Sequence, residues 1–333
     1  MIQDVIYQNY GLIIERKEML GGYECFYSKD SLYTIVPIHE PNESELMERL
    51  LLSQYLQRQG DPYVSSFILS NNNSYLSESD DNVFLLMGNA LLEKPRPVQM
   101  GQKLARFHSR GRTFAEPLQE CNRMGKWKEL WEDRIDRMEN VWREKVQTHP
   151  INDFEKLFVE SFPYFLSLGE NAIQYLVDNE IDDNPTGLDA GTVCHDRFYD
   201  DIWLGEYLIK NPFDWVFDHH SRDVSEWIRE HYFRYPYTHQ PTMIRFVEEY
   251  SYYTPLSSFS WRLLYARLLF PVHYLEAIER YYSSSKEEDK RVIEEFLQEY
   301  LKRTHHHEEF LRSFYEVLSV PINRLRIPKV DWL

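Results

Sequence analysis

The chain has 333 residues, 37 basic and 54 acidic, for a formal net charge of −17. A field of that sign repels phosphate backbones and anionic lipid, which argues against nucleic acid and bare membrane as partners, although a local basic group or Mg²⁺ can reverse it inside a cleft. Hydrophobic residues at 43% and charged residues at 27% are ordinary for a globular protein, and the longest apolar run, Leu263 to Leu275, is broken by Arg267 and Pro271.

Met1-Ile2-Gln3-Asp4 lacks the basic start and apolar run of a signal peptide, and Cys25, Cys121 and Cys194 fall in no paired spacing. Synthesis in a reducing cytoplasm is the expectation. The first ninety residues read as a small β-rich lobe with one helix. Tyr23–Tyr27 and Leu32–Ile38 are β-branched and aromatic runs around Ser28-Lys29-Asp30-Ser31, a hairpin pattern. Pro41-Asn42-Glu43-Ser44 offers a helix start, with Leu46, Leu50, Leu51 and Tyr55 at helical spacing to about Gln59. Tyr63–Leu69 and Val83–Met87 read as further strands. Past Lys94-Pro95-Arg96-Pro97 the texture changes to long amphipathic helices, predicted at 98–109, 124–145, 151–180, 221–235, 242–253, 259–283 and 286–319. Irregular stretches lie near 184–204 and 209–220. The expected fold class is α+β, with lobes at 1–90 and 91–333.

Val193-Cys194-His195-Asp196 opens the most informative segment, which runs to Leu204. Kinase-like phosphotransferases carry H-x-D, four residues, then Asn and two apolar residues. Aligning Asp196 with the catalytic Asp puts Asp201 on the Asn position, Ile202-Trp203 on the apolar pair and Cys194 on the usual His. One carboxylate accepts a hydroxyl proton; a second oxygen ligand nearby holds Mg²⁺. The segment 211–215, Asn211-Pro212-Phe213-Asp214-Trp215, resembles the strand that ends in the principal metal Asp. Ser221-Arg222-Asp223-Val224 resembles the one carrying the buried Asp behind the catalytic loop. Val83–Met87 resembles the strand entering the hinge, which makes Met87 a nucleotide-contact candidate. Gly101-Gln102-Lys103-Leu104-Ala105-Arg106-Phe107-His108 matches the G-x-x-L-A-x-x-H helix that follows.

In order and spacing these segments resemble the aminoglycoside-phosphotransferase type of two-lobed protein-kinase-like fold. With Arg262 to Pro271 they resemble in particular the CotS group of spore-coat-associated kinase-like proteins. The resemblance implies a role in sporulation, a final place in the spore coat, other coat proteins as partners, and a cleft between the lobes for a small ligand. It implies ATP and Mg²⁺ as cofactors if the protein is active, with Asp196 as base and Asp201 and Asp214 as metal ligands.

The pattern breaks on the nucleotide side. Family members read Y-x-L-K-P at the third strand; here Tyr33-Thr34-Ile35-Val36-Pro37 puts Val36 where a lysine holds the phosphates. Glu48 is in the right helix to be that lysine's partner, and Glu45 is nearly as good a candidate. Gly21-Gly22 is a thin phosphate loop, and Tyr23-Glu24 adds bulk and negative charge. Lys17 and Lys29 are poorly placed substitutes; Lys94 and Lys210 are the other lysines of interest. Two functions follow: a coat-structure or assembly protein with degenerate phosphotransfer, or an active ATP/Mg²⁺-dependent phosphotransferase acting on a small hydroxylated molecule. A nucleotide- or sugar-binding module without turnover is a third.

Other features have plainer readings. Cys194 reads as a small buried hydrophobe, and Asp218 with His219-His220 leaves the role of Asp214 open. His305-His306-His307 cannot easily chelate one ion, because adjacent helical residues point about 100° apart, and reads as a solvated face. Trp127, Trp131 and Trp142 with Leu130, Ile135 and Met138 read as a core stripe.

Overall fold

The computed structural model describes residues 2–79, 82–92, 99–203, 208–328 and 330, the side chains of Asp200 and Asp201 excepted. A small antiparallel-sheet lobe precedes a larger, mainly helical one. β1 (Arg16–Leu20), β2 (Tyr23–Ser28), β3 (Ser31–Ile38), β4 (Ser66–Ile68), β5 (Leu76–Ser79) and β6 (Asn82–Ala90) form one sheet in the order β1-β2-β3-β6-β4, with β5 also on β6. β1 and β2 meet at Leu20↔Tyr23, so Gly21 and Gly22 are the whole turn, at φ +57° and +85°. Both glycines answer a two-residue hairpin turn of the I′ class, which needs positive φ at both positions.

α1 (Ile2–Tyr10) is additional to the one helix expected in this lobe; Ile6 packs with Phe26, Ile35, Phe84 and Leu86. α2 (Glu43–Arg58) begins where predicted. The Asn42 side chain accepts from the Glu45 N–H, and Glu43 and Glu45 place negative charge on the first turn. Val36 is buried with Leu85 and Met87, and Tyr23, Leu46, Phe67 and Phe213 pack against them.

By packing, the chain forms two compact units: residues 1–123, 191–231 and 248–254, and residues 124–190, 232–247 and 255–333. The first holds the sheet, α1, α2, α3 (Met100–Gly111), the β7–β8 ribbon (Thr192–His195 and Trp215–Asp218) and most of α6 (Ser221–Arg234). The second is helical, built on α4 (Trp127–Thr148), α5 (Asp153–Asp182), α8 (Ser258–Leu269), α9 (Val272–Ser283), α10 (Glu287–Lys302) and α11 (Thr304–Val317). α7 (Gln240–Tyr253) contributes residues to both.

The predicted helices 259–283 and 286–319 are each two. Pro271 lacks the N–H a continuous helix needs, and the second break falls at Arg303. Trp127, Trp131, Ile135 and Met138 are buried at spacings of four, four and three, with Trp131 stacked on Phe270 at 4.5 Å; Leu130 lies off this stripe and is 43% exposed. His305 and His306 are solvated as expected, whereas His307 turns inward.

Candidate active site

α3 brings His108 to the β7–β8 ribbon. The helix approaches so closely that a Cβ on Gly111 would lie 2.7 Å from the Val193 backbone nitrogen. Behind the loop, the fully buried Asp223 accepts from the His195 backbone N–H at 2.9 Å, from His195 Nδ1 at 2.7 Å and from His108 Nε2 at 3.1 Å. Burial alone would raise its carboxyl; the adjacent His195 and the hydrogen bonds from both rings overcome this and bring it to about 2. Burial pushes His108 down against the pull of Asp223, so His108 is neutral at neutral pH. A carboxylate only accepts, so Nε2 carries the His108 proton and the Tyr250 hydroxyl donates to Nδ1 at 2.8 Å. The Cys194 thiol donates to the Asp218 and His219 carbonyls at 3.6 Å each. Cys194 is a buried donor, in keeping with its reading as a small hydrophobe.

Asp196 follows β7 at the surface, with its side chain 67% exposed. Its N–H donates to the Asp214 carbonyl at 2.7 Å, which ties the two candidate carboxylate positions together through backbone. Arg222 spans this corner. It donates to Asp196 Oδ1 at 2.8 Å, to Asp218 Oδ2 at 2.8 Å and to the His195 carbonyl at 3.0 Å. Asp218 also accepts from the His219 N–H, so it belongs to this support and Asp214 is the carboxylate facing the sheet.

Asp214 is engaged there. The Tyr23 hydroxyl, from the first residue of β2, donates to Asp214 Oδ1 at 3.0 Å. Burial raises the Asp214 carboxyl above its usual range, against the Tyr23 bond and the opposing influence of nearby His195 and Arg49. Burial and Asp214 together push the Tyr23 phenol up. Arg49 of α2 donates to the Pro212 carbonyl at 2.8 Å and the Trp215 carbonyl at 3.2 Å, and its guanidinium lies 5.1 Å from the Phe213 ring centre.

A family model described as "Spore coat putative kinase YutH" matches residues 3–314. The chain is 43% identical over 334 residues to the endospore coat-associated protein YutH of Bacillus subtilis (strain 168), covering 100% of this chain and 98% of the relative. The chain belongs to the YutH family of spore coat kinase-like proteins. Among solved structures, an aminoglycoside phosphotransferase from Alicyclobacillus acidocaldarius is similar at a TM-score of 0.68 and 13% identity, over 95% of this chain and 96% of that one. A spectinomycin phosphotransferase in complex with ADP and spectinomycin is similar at 0.58 and 11%, over 90% and 93%. At such identities these two likenesses establish the fold alone.

Within this member of the YutH family, the sequence-predicted residues divide. Asp196, Asp214 and the supporting Asp223 come together; the Asp201 side chain and Lys94 lie outside the described residues. Val36 and Met87 are buried in the apolar layer, at 2% and 0% exposure. The Glu48 carboxylate accepts three backbone N–H groups, from Gln119 at 2.7 Å, Glu120 at 3.2 Å and Cys121 at 2.8 Å. Burial opposes its ionisation, but those hydrogen bonds prevail and hold its pKa below the ordinary value. Glu45 pairs with Arg49 at 2.6 Å. Lys210 is buried against Asp61 at 2.6 Å, and Lys17 pairs with Glu24 across the β1–β2 hairpin. Sequence reasoning did not single out Tyr23 as a partner of Asp214, nor Arg49. The available signal for Tyr23 was the two-glycine turn, which fixes it as the first paired residue of β2.

Proposed function

We propose that this protein works in the spore coat as a structural or assembly component, on a kinase-like scaffold whose phosphotransfer site is degenerate. The observation that carries this reading is the Tyr23 phenol on Asp214, where a metal-bound nucleotide would require a free carboxylate. Three further features support it. Val36 supplies no cation for the phosphates, Glu48 is committed to backbone N–H groups, and a two-residue turn leaves little backbone to cradle a phosphate chain. The described residues therefore fit Mg²⁺-ATP poorly, and no catalytic step is assigned to it. The coat as location, and coat proteins as partners, come from the relative's description as endospore coat-associated.

One observation favours the alternative, an active small-molecule phosphotransferase. Asp196 is exposed on a loop braced by Arg222 and Asp223, as a base would need to be. Isothermal titration with ATP, with and without Mg²⁺, separates the two. The degenerate reading expects no binding at millimolar nucleotide in the wild type. Mg²⁺-dependent binding that disappears in Asp214→Ala would sink it and favour the enzyme.

A further inference from the structure

The second compact unit contains a cavity that shares no residue with the Asp196–Asp214 site and stands independently of how that site is read. The last turn of α6, the turn leading into α7 and one face of α11 line an open hollow of about 530 Å³. That volume lies within the range of small-molecule sites, roughly 300–1,000 Å³.

Rings make one part of its wall. Tyr232 stacks on Phe310 with centroids 4.3 Å apart and meets His239 edge-on at 5.1 Å. Tyr237 stands at the mouth, 78% exposed, with an edge contact to His306 at 5.8 Å. An exposed aromatic face beside a cavity is a ready stacking platform.

The polar groups point the same way. The Tyr232 ring is buried at 3% exposure, but its hydroxyl is not among the buried atoms and opens on the cavity, with no hydrogen-bond partner among the described residues. A hydroxyl that opens on the cavity with no protein partner is available to a ligand or water there. His239 is also buried. Its Nδ1–H donates to the Pro236 carbonyl at 3.0 Å, and burial lowers its pKa, so Nε2 is an acceptor at neutral pH. Gln240 adds a neutral amide, the Ser313 hydroxyl donates to the Glu309 carbonyl of its own helix at 2.8 Å, and Glu309 and Arg312 bring one charge of each sign to the lining.

We infer that this cavity binds a neutral pyranose ring, its apolar face stacked on Tyr237 and its hydroxyls held by Tyr232, His239 and Gln240. A ligand with one flat C–H face and a rim of donors and acceptors matches a wall that alternates rings with uncharged polar groups. One carboxylate and one guanidinium in the lining select neither an anion nor a cation.

The test is saturation-transfer NMR and titration calorimetry on the full chain, with methyl glucoside and N-acetylglucosamine as probes and adenosine as a flat non-sugar control. Transfer to pyranose protons at millimolar sugar is expected, with little to adenosine. Tyr237→Ala, at an exposed position, should fold normally and weaken binding about tenfold, the loss of one stacking contact. Tyr232→Phe keeps the ring and should weaken binding about fivefold, the loss of one hydrogen bond. Absence of transfer to both sugars overturns the inference, as does sugar binding indifferent to both substitutions. Adenosine displacing the sugar, or binding in its place, overturns the ligand class.

Discussion

The loop behind Asp196 and the strands facing Asp214 treat polar chemistry in opposite ways. Behind Asp196, a fully buried carboxylate, two imidazoles and Arg222 are bonded to one another and to the backbone, so each group's position is over-determined. On the strand side, Val36 and Met87, at positions the sequence pattern assigns to the nucleotide, lie in an apolar layer, while Glu48 and Tyr23 are engaged by other protein groups. The difference teaches that one loop can be held by a polar network while the strands opposite are held by apolar packing. Removing one member of the network leaves other buried groups unpaired; changing the apolar filler alters only packing.

The largest effect should come from the network. Asp223→Ala strands two ring N–H groups and a backbone N–H, and is expected to cost about 3–5 kcal/mol, read by urea denaturation. A loss below about 1 kcal/mol would erase the contrast between the two sides. Next, Val36→Lys places a charge in an apolar layer where Glu48 is already committed. It should cost roughly 3 kcal/mol and restore no nucleotide binding, tested by melting and by ATP titration.

Acid should find the same network. The folded pKa of Asp223 lies below its unfolded value, so its contribution, about 2 kcal/mol, is present above about pH 4 and lost as pH falls toward about 2. His108 is also lowered in the folded state, so the unfolded chain takes up that proton first and stability begins to fall below about pH 6.5. Asp223→Asn should flatten the lower part of the stability profile and leave the strand side unaffected. Glu48→Gln removes a charged cap from the Gln119–Cys121 backbone and should cost about 1–2 kcal/mol with no change toward ATP. A change in nucleotide affinity would instead return Glu48 to a ligand role. Lys17→Ala, at a pair 39% exposed on both sides, should shift stability by less than about 0.5 kcal/mol, and so marks the floor of the series.

Much of the scaffold was legible because its signals are local. The Asn42 cap and the Leu46, Leu50 and Tyr55 spacing place α2 within a residue of its observed ends. Arg262 to Pro271 was visible as a helix, but the break at Pro271 was read through, since α8 and α9 share one apolar texture. α1 did carry a signal, with Ile2, Val5, Ile6 and Tyr10 at helical spacing, but nine residues make a short pattern and its burial depends on the sheet beneath it. In the site, Asp196, Asp214 and Asp223 were legible from spacing along the chain. The Tyr23–Asp214 bond joins residues 191 apart and the Arg49–Pro212 bond residues 163 apart, so no spacing rule reaches them.

The three cysteines each sit beside one of these anchors. The Cys25 thiol donates to the Tyr23 carbonyl at 3.7 Å, the Cys121 N–H is one of the three bound by Glu48, and the Cys194 thiol lies 3.9 Å from His108 Nε2. All three are buried, and burial raises the thiol pKa of Cys25 above its usual value and that of Cys121 to about 11. A thiol reagent can therefore reach each one only when its own neighbourhood opens. The unaltered chain thus carries three built-in clocks, one each for the β1–β2 hairpin, the Gln119–Cys121 backbone held by Glu48 and the His108–Asp223 network, and their separate labelling rates would order the opening of these regions in time.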